Sequence, residues 1–208
     1  MAELALLTQD TTLTPDDLKK RTQAFKLLTK TWTPGDVVVS DIETNGLLYE
    51  VNRLHCGTVI NPFLLEEYLY EPGSDQEYLA HLARQGVVVG HNFKGYDLLA
   101  LRKLFGFIYS SFCFDTLVLS RLTNPERKIH NLESYGRQFG FPKIHYETDW
   151  QTYDADMGKY CRQDGRLNAY LFLYQIIRAG WCEWFGSTKP ECERLMKALK
   201  AGDIKVIQ

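Results

Sequence analysis

Asp41 and Glu43 are the residues with the clearest chemical potential in this chain. They end the run Val37-Val38-Val39-Ser40-Asp41-Ile42-Glu43. In a strand, side chains alternate faces, so both carboxylates share the parity of Val37 and Val39. A row that begins in a core therefore ends in two acids, and Asn45-Gly46 supplies the turn after them. Like charges at the mouth of a buried strand are costly without a cation between them. Oxygen-only ligands favour Mg²⁺ or Mn²⁺. The pairs Asp75/Glu77, Glu147/Asp149, Asp154/Asp156 and Glu191/Glu193 have the same spacing. They lie in polar or helix-starting contexts, where solvated acids or caps are the plainer reading.

Two further groups could join the pair. Asp97 follows the apolar run Val87–Gly90 and the loop His91-Asn92-Phe93-Lys94-Gly95-Tyr96. Alone it reads as a carboxylate favoured at a helix start, but the amide, imidazole and ammonium groups before it could bind a sugar or phosphate. Tyr160 and Asp164 stand four apart on an expected helix, hence on one face. Alone they read as a half-buried ring above an unrelated acid, and Asp156 lies near the same face. Four carboxylates in one pocket would carry about −4, too much to hold without divalent cations. Two such ions about 3.5–4 Å apart, with a substrate phosphate, suit phosphodiester hydrolysis.

Antiparallel strands followed by strand–helix alternation must position these groups. Strands are expected from Val37 into the Asp41/Glu43 pair, at Leu54–Ile60 and at about Leu65–Tyr70, joined by short polar connections. A helix over Asp75–Gln85, the buried strand at Val87, a helix over Leu98–Phe105 and a short strand at Phe112–Phe114 follow. Asp115 and Asn131 read as helix caps, and a long helix is expected from Asp154 to Ala179. The pattern predicts an α/β domain with a mixed sheet. Thr14-Pro15-Asp16-Asp17 opens an N-terminal helix reaching about Lys30, read as packing on the core or as a partner-binding arm. A capped helix starts at Pro190.

The 208 residues suit one domain with a short appendage. A net charge of −2 gives no bulk attraction for nucleic acid, so such binding needs a local patch. The five cysteines are odd in number and form no Cys-x-x-Cys, which argues against a disulfide frame or zinc site and for a reducing, cytosolic setting. No signal peptide and no apolar run long enough for a membrane is present.

The three acid segments resemble the motifs of DEDDy-type 3′–5′ exonucleases, above all the proofreading domain of family-A DNA polymerases of small tailed phages. The likeness runs from about Val37 to Leu173. It includes Leu54-His55-Cys56-Gly57, Phe114-Asp115-Thr116-Leu117-Val118-Leu119-Ser120-Arg121, Leu132-Glu133 and Tyr135-Gly136. The resemblance implies an RNase H-like mixed five-stranded sheet with helices on both faces. It implies that Asp41, Glu43, Asp97 and Asp164 hold two Mg²⁺ or Mn²⁺ ions. Tyr160 would orient the attacking water, as a hydrogen-bonding positioner rather than a strong base, since a free tyrosine titrates near ~10. Leu47 would wedge against the terminal base, and Thr44, Asn92 and Lys94 would touch substrate. The sister subclass carries a histidine five residues before the last acid. Lys159 stands there, so the tyrosine subclass fits.

The implied substrate is the single-stranded 3′ end of DNA, in the cytoplasm of a phage-infected host. Lys94-Gly95-Tyr96 departs from the commoner apolar filling of the second motif. The resemblance divides the chain into an N-terminal helical extension (1–35), the exonuclease domain (36–186) and a C-terminal helical tail (187–208). No polymerase-sized segment follows the exonuclease region. The expectation is therefore a free-standing exonuclease, or the nuclease part of a split polymerase that docks a separate polymerase through its terminal helices. The competing readings are an exonuclease of RNA or short oligonucleotides and an inactive nucleic-acid-binding subunit. All four acids and the tyrosine are present, which counts against the last.

Overall fold

The β-branched run forms β1 (Val37–Thr44), the strand from which the site is built. The computed structural model describes residues 31–147 and 150–207; the helix expected at 14–30 lies outside them. β2 (Leu54–Asn61) and β3 (Glu66–Tyr70) continue from β1 as the expected antiparallel meander. β4 (Val87–Gly90) and β5 (Phe112–Asp115) extend the sheet on the other side of β1, parallel to it. β6 (Lys205–Ile207) adds to β3, and the strand order is β5-β4-β1-β2-β3-β6. Among the described residues the sheet thus has six strands rather than the five expected. The extra one is three residues long and mostly exposed, too short for a periodic signal. It lies in the segment read from sequence as a helical tail.

Helices cover both faces. α1 (Asp75–Arg84) and α2 (Asp97–Phe105) lie on one, packing Tyr78, Leu82, Ala100 and Leu101 against Val38, Ile42, Val59 and Val88. The long α5 (Ala155–Ala179) and α6 (Lys189–Ala201) lie on the other, with Phe172, Ile176, Leu195 and Leu199 against Val37, Val39, Ile60, Val87 and Val89. Burying each of those valines stabilises the fold by roughly 1.5–3 kcal/mol. The face that holds Val37 and Val39 is the α5 face, so strand alternation turns Asp41 and Glu43 toward α5.

α5 can come close because residue 165 is glycine. A Cβ there would stand 2.5 Å from Thr58 Cγ2 on β2. Arg166, the next residue, pairs with the fully buried Glu67 of β3 at 2.5 Å. Asp154 caps the helix by accepting the Met157 amide at 2.8 Å, and Gly180 ends it in the left-handed region. α3 (Thr116–Thr123) starts directly after β5, and α4 (Leu132–Phe139) is capped by Asn131 as expected.

Candidate active site

β4 pairs only with Val37, Val38 and Val39 of β1. Beyond that point β1 runs on beside β2 alone, with Asp41 opposite Thr58 and Glu43 opposite Cys56. The space left past the end of β4 is where the other predicted residues arrive. The loop after β4 brings Asp97 in at the start of α2, and α5 brings Tyr160 and Asp164 from the facing layer.

The electrostatics record this convergence. Burial, then Asp164, pushes the Asp41 carboxyl up to about 8, with Lys143 pulling back. Burial, then Asp41 and Asp164, holds Glu43 well above the usual carboxylate range. Asp97, 5% exposed, is raised by burial and then by Asp41; its own amide and that of Ile42 oppose the rise. Asp164, 4% exposed, is raised by burial and held back by Lys143. Desolvated carboxylates that repel one another in this way need a compensating cation.

Part of that charge comes from a residue the sequence reading missed. Lys143 Nζ lies 2.5 Å from Asp164 Oδ2 and 4.8 Å from the centre of the Tyr160 ring. Asp164 Oδ1 is buried and has no hydrogen-bond partner. A lone buried carboxylate oxygen beside three other acids fits a divalent-cation site. The Tyr160 hydroxyl is pushed up to about 12 by burial and by Asp164, so it stays protonated near neutral pH.

Of the remaining predicted residues, Thr44 and Leu47 lie on a cleft that reaches Glu43. Ile42, Glu43, Thr44, Asn45, Gly46 and Leu47 border a cleft of about 480 Å³, closed on its other side by Tyr96 and Trp150. Leu47 is 61% exposed, and Tyr49 in the same loop is 74% exposed. That loop is held from beneath: Lys103 of α2 donates to the carbonyls of Leu48 and Tyr49, each at 3.0 Å. Asn45 Oδ1 accepts the amides of Asn52 and Arg53 at 3.1 and 3.0 Å. Tyr96 shares a hydrogen bond with Thr44 and donates to the Gly46 carbonyl at 2.6 Å. The tyrosine that departs from the usual second motif therefore positions the first.

Asn92 is in the left-handed region at φ 61°, a conformation asparagine tolerates. Its amide and that of Lys94 both donate to Asp115, at 3.1 Å each. Asp115 also caps α3 through the amides of Leu117 and Val118, so one carboxylate ties the second-motif loop to the neighbouring strand and helix. The Asn92 and Lys94 side chains are exposed. His91 and Asn92 border a separate cleft with Arg121, Lys128 and His130. Burial lowers His91 to about 4, which leaves it neutral.

Trp150 is another residue the sequence did not single out. Its φ of 59° is rare for a bulky side chain. Its carbonyl meets His55 Nε2 at 3.0 Å, and its ring lies 5.8 Å from that of Tyr160. The signal available beforehand was the aromatic density of residues 146–160, which carries no period.

Both the sequence and the fold of the chain have known likenesses. The sequence kinship is to the DNA-directed DNA polymerases of Escherichia phage T7 and Enterobacteria phage T3. Each is 32% identical over 152 residues, covering 59% of this chain and 22% of the polymerase. The chain thus spans about a fifth of the length of these relatives. Among solved structures, Brucella melitensis NrnC superposes with a TM-score of 0.53 at 22% identity, over 80% of this chain and 82% of that one. The catalytic core of RRP6 from Trypanosoma brucei superposes with a TM-score of 0.51 at 18% identity, over 93% and 51%. NrnC is also known with bound Mg²⁺ and bound to pGG. No known protein-family profile matches the chain.

Proposed function

We propose that this chain is a metal-dependent 3′–5′ exodeoxyribonuclease that releases nucleoside 5′-monophosphates from the single-stranded 3′ end of DNA. The observation that carries the proposal is the gathering of Asp41, Glu43, Asp97 and Asp164 at the free end of β1, with one buried Asp164 oxygen left unpartnered. In this reading the four carboxylates hold two Mg²⁺ or Mn²⁺ ions. The chemistry such ions would supply there is a water acidified enough to attack near neutral pH and charge stabilisation at the leaving oxygen.

The chain's own groups do the rest. Tyr160, protonated and beside Asp164, holds the attacking water by a hydrogen bond. Lys143 offsets the acids, and its flexible stem lets the ammonium turn to a phosphate oxygen. The pinned loop presents Leu47 and Tyr49 to the terminal base, and Thr44 sits at the cleft wall where the sugar would lie. Asn92 and Lys94 contact the strand from the second-motif loop.

DNA is favoured as substrate because the sequence relatives are DNA polymerases. The same kinship makes a separate DNA polymerase the partner this reading implies, with proofreading as the task. The second reading, action on RNA or short oligonucleotides, has the likeness to NrnC bound to pGG in its favour. One experiment separates them: digestion of 3′- and 5′-labelled single-stranded DNA, duplex DNA and RNA, with and without Mg²⁺. Metal-dependent shortening of DNA from the 3′ end is expected. Preferential loss of RNA would favour the second reading, and activity in a metal chelator would refute both.

A further inference from the structure

Two buried thiols stand directly behind the acid pair. Cys56 lies opposite Glu43 in the β1–β2 register, so both point to the α5 face. Cys161 is on α5, one turn before Asp164; it packs in one cluster with Cys56, and its Sγ donates to the Asp41 carbonyl at 3.7 Å. Both cysteines are fully buried. The ligand atoms of Asp41, Glu43 and Cys161 all lie within 4.8 Å of one another. The unpartnered, buried Asp164 oxygen independently points to a cation at this place.

Hard Mg²⁺ or Mn²⁺ has little use for sulfur, whereas Zn²⁺ and Cd²⁺ seek it. A tetrahedral Zn²⁺ with Zn–S of about 2.3 Å and Zn–O of about 2.0–2.2 Å needs its donors roughly 3.5 Å apart. Side-chain adjustments of about an ångström would bring the trio to that spacing.

We propose that Asp41, Glu43 and Cys161 form a thiophilic metal site that captures Zn²⁺ or Cd²⁺ and holds the enzyme inactive. On binding, the Cys161 S–H bond breaks, its proton and any proton on the Asp41 and Glu43 carboxyls pass to solvent, and the sulfur and both carboxylates donate electron pairs to the metal. No redox change occurs. The captured ion uses Asp41 and Glu43, so the hard-metal set cannot assemble around them. The inhibitory consequence rests on the exonuclease reading; the binding itself does not.

The test uses the full chain, stripped of metal and kept reduced, titrated with Cd²⁺ alone. The readout is the ultraviolet thiolate-to-cadmium charge-transfer band. Wild type and a Cys113→Ser control should develop the band at one equivalent, while Cys161→Ser, or Cys161→Ala if the serine variant does not fold, should not. In parallel, with saturating Mg²⁺, Cys161→Ser should retain exonuclease activity and need about tenfold or more Zn²⁺ for half-inhibition. A band of equal strength in the Cys161 variants, or unchanged Zn²⁺ sensitivity, would overturn the proposal. Loss of the band with no Mg²⁺-dependent activity in any form would sink the exonuclease reading and leave the metal site standing.

Discussion

Removing metal and then raising the pH should loosen this protein more than its surface charge would suggest. Asp41 is the group to follow. Burial and the nearby Asp164 raise its carboxyl from 3.8 to about 8 in the folded chain. The folded state therefore keeps a proton that the unfolded state releases, and stability falls as pH rises through that interval. At about 1.36 kcal/mol per tenfold change in proton concentration, this group alone could cost up to about 6 kcal/mol by pH 8. The four carboxylates titrate as a set, so about 3 kcal/mol is the loss to look for. For a chain of this size that is a fall in Tm of roughly 6–12 °C. The assay is thermal unfolding in a chelator from pH 5 to 8, beside the same series in Mg²⁺ and a series with Asp41→Asn. Tm of the metal-free protein should drop toward pH 8, and either Mg²⁺ or the substitution should flatten the slope. A metal-free Tm that stays level or climbs, and that Asp41→Asn leaves unchanged, would refute the account of the site as a repelling acid cluster.

Three further outcomes can be checked. Tyr160→Phe should lower kcat by about 10²-fold, the scale of a positioned acid–base group, while leaving Tm near wild type; an unaltered kcat would remove its water-positioning role. Lys103→Met, which frees the Leu48 and Tyr49 carbonyls, should raise KM for DNA 3′ ends more than it lowers kcat, and Lys103→Arg should restore much of the loss; equal KM in all three forms would separate the loop from substrate binding. Asp115→Ala strips the cap of α3 and the partner of two loop amides. It should destabilise the fold by about 2 kcal/mol, seen in denaturant unfolding, and a change below ~0.5 kcal/mol would mean that solvent replaces the carboxylate.

The parts of the site that repeat along an element were legible in the chain. Val37, Val39, Asp41 and Glu43 follow one strand parity, and the face they share proves to be the one α5 covers. Tyr160 and Asp164 follow helical spacing, and Asp115, Asn131 and Asp154 cap the helices expected of them. What stayed hidden depends on tertiary approach. Lys143 and Trp150 come from an irregular stretch with no period, so nothing in their spacing says they meet Tyr160. Cys161 looked inert because cysteine spacing along the chain says nothing of a partner across a sheet; Cys56 reaches it only through the β1–β2 register. Tyr96 read as an anomaly of its motif until its hydroxyl was seen against Thr44 and Gly46.

The brevity of β4 has a consequence for how such a molecule could be altered. Its ladder with β1 closes at Val39, and the amide of Ile42, further on, favours the charged form of the Asp97 carboxylate. Two or three more residues of extended chain after Gly90 would zip that amide into the sheet and fill the gap. The pleat would gain hydrogen bonds and the molecule would lose its reaction chamber. The open end of the acid strand is left by a neighbour that stops early.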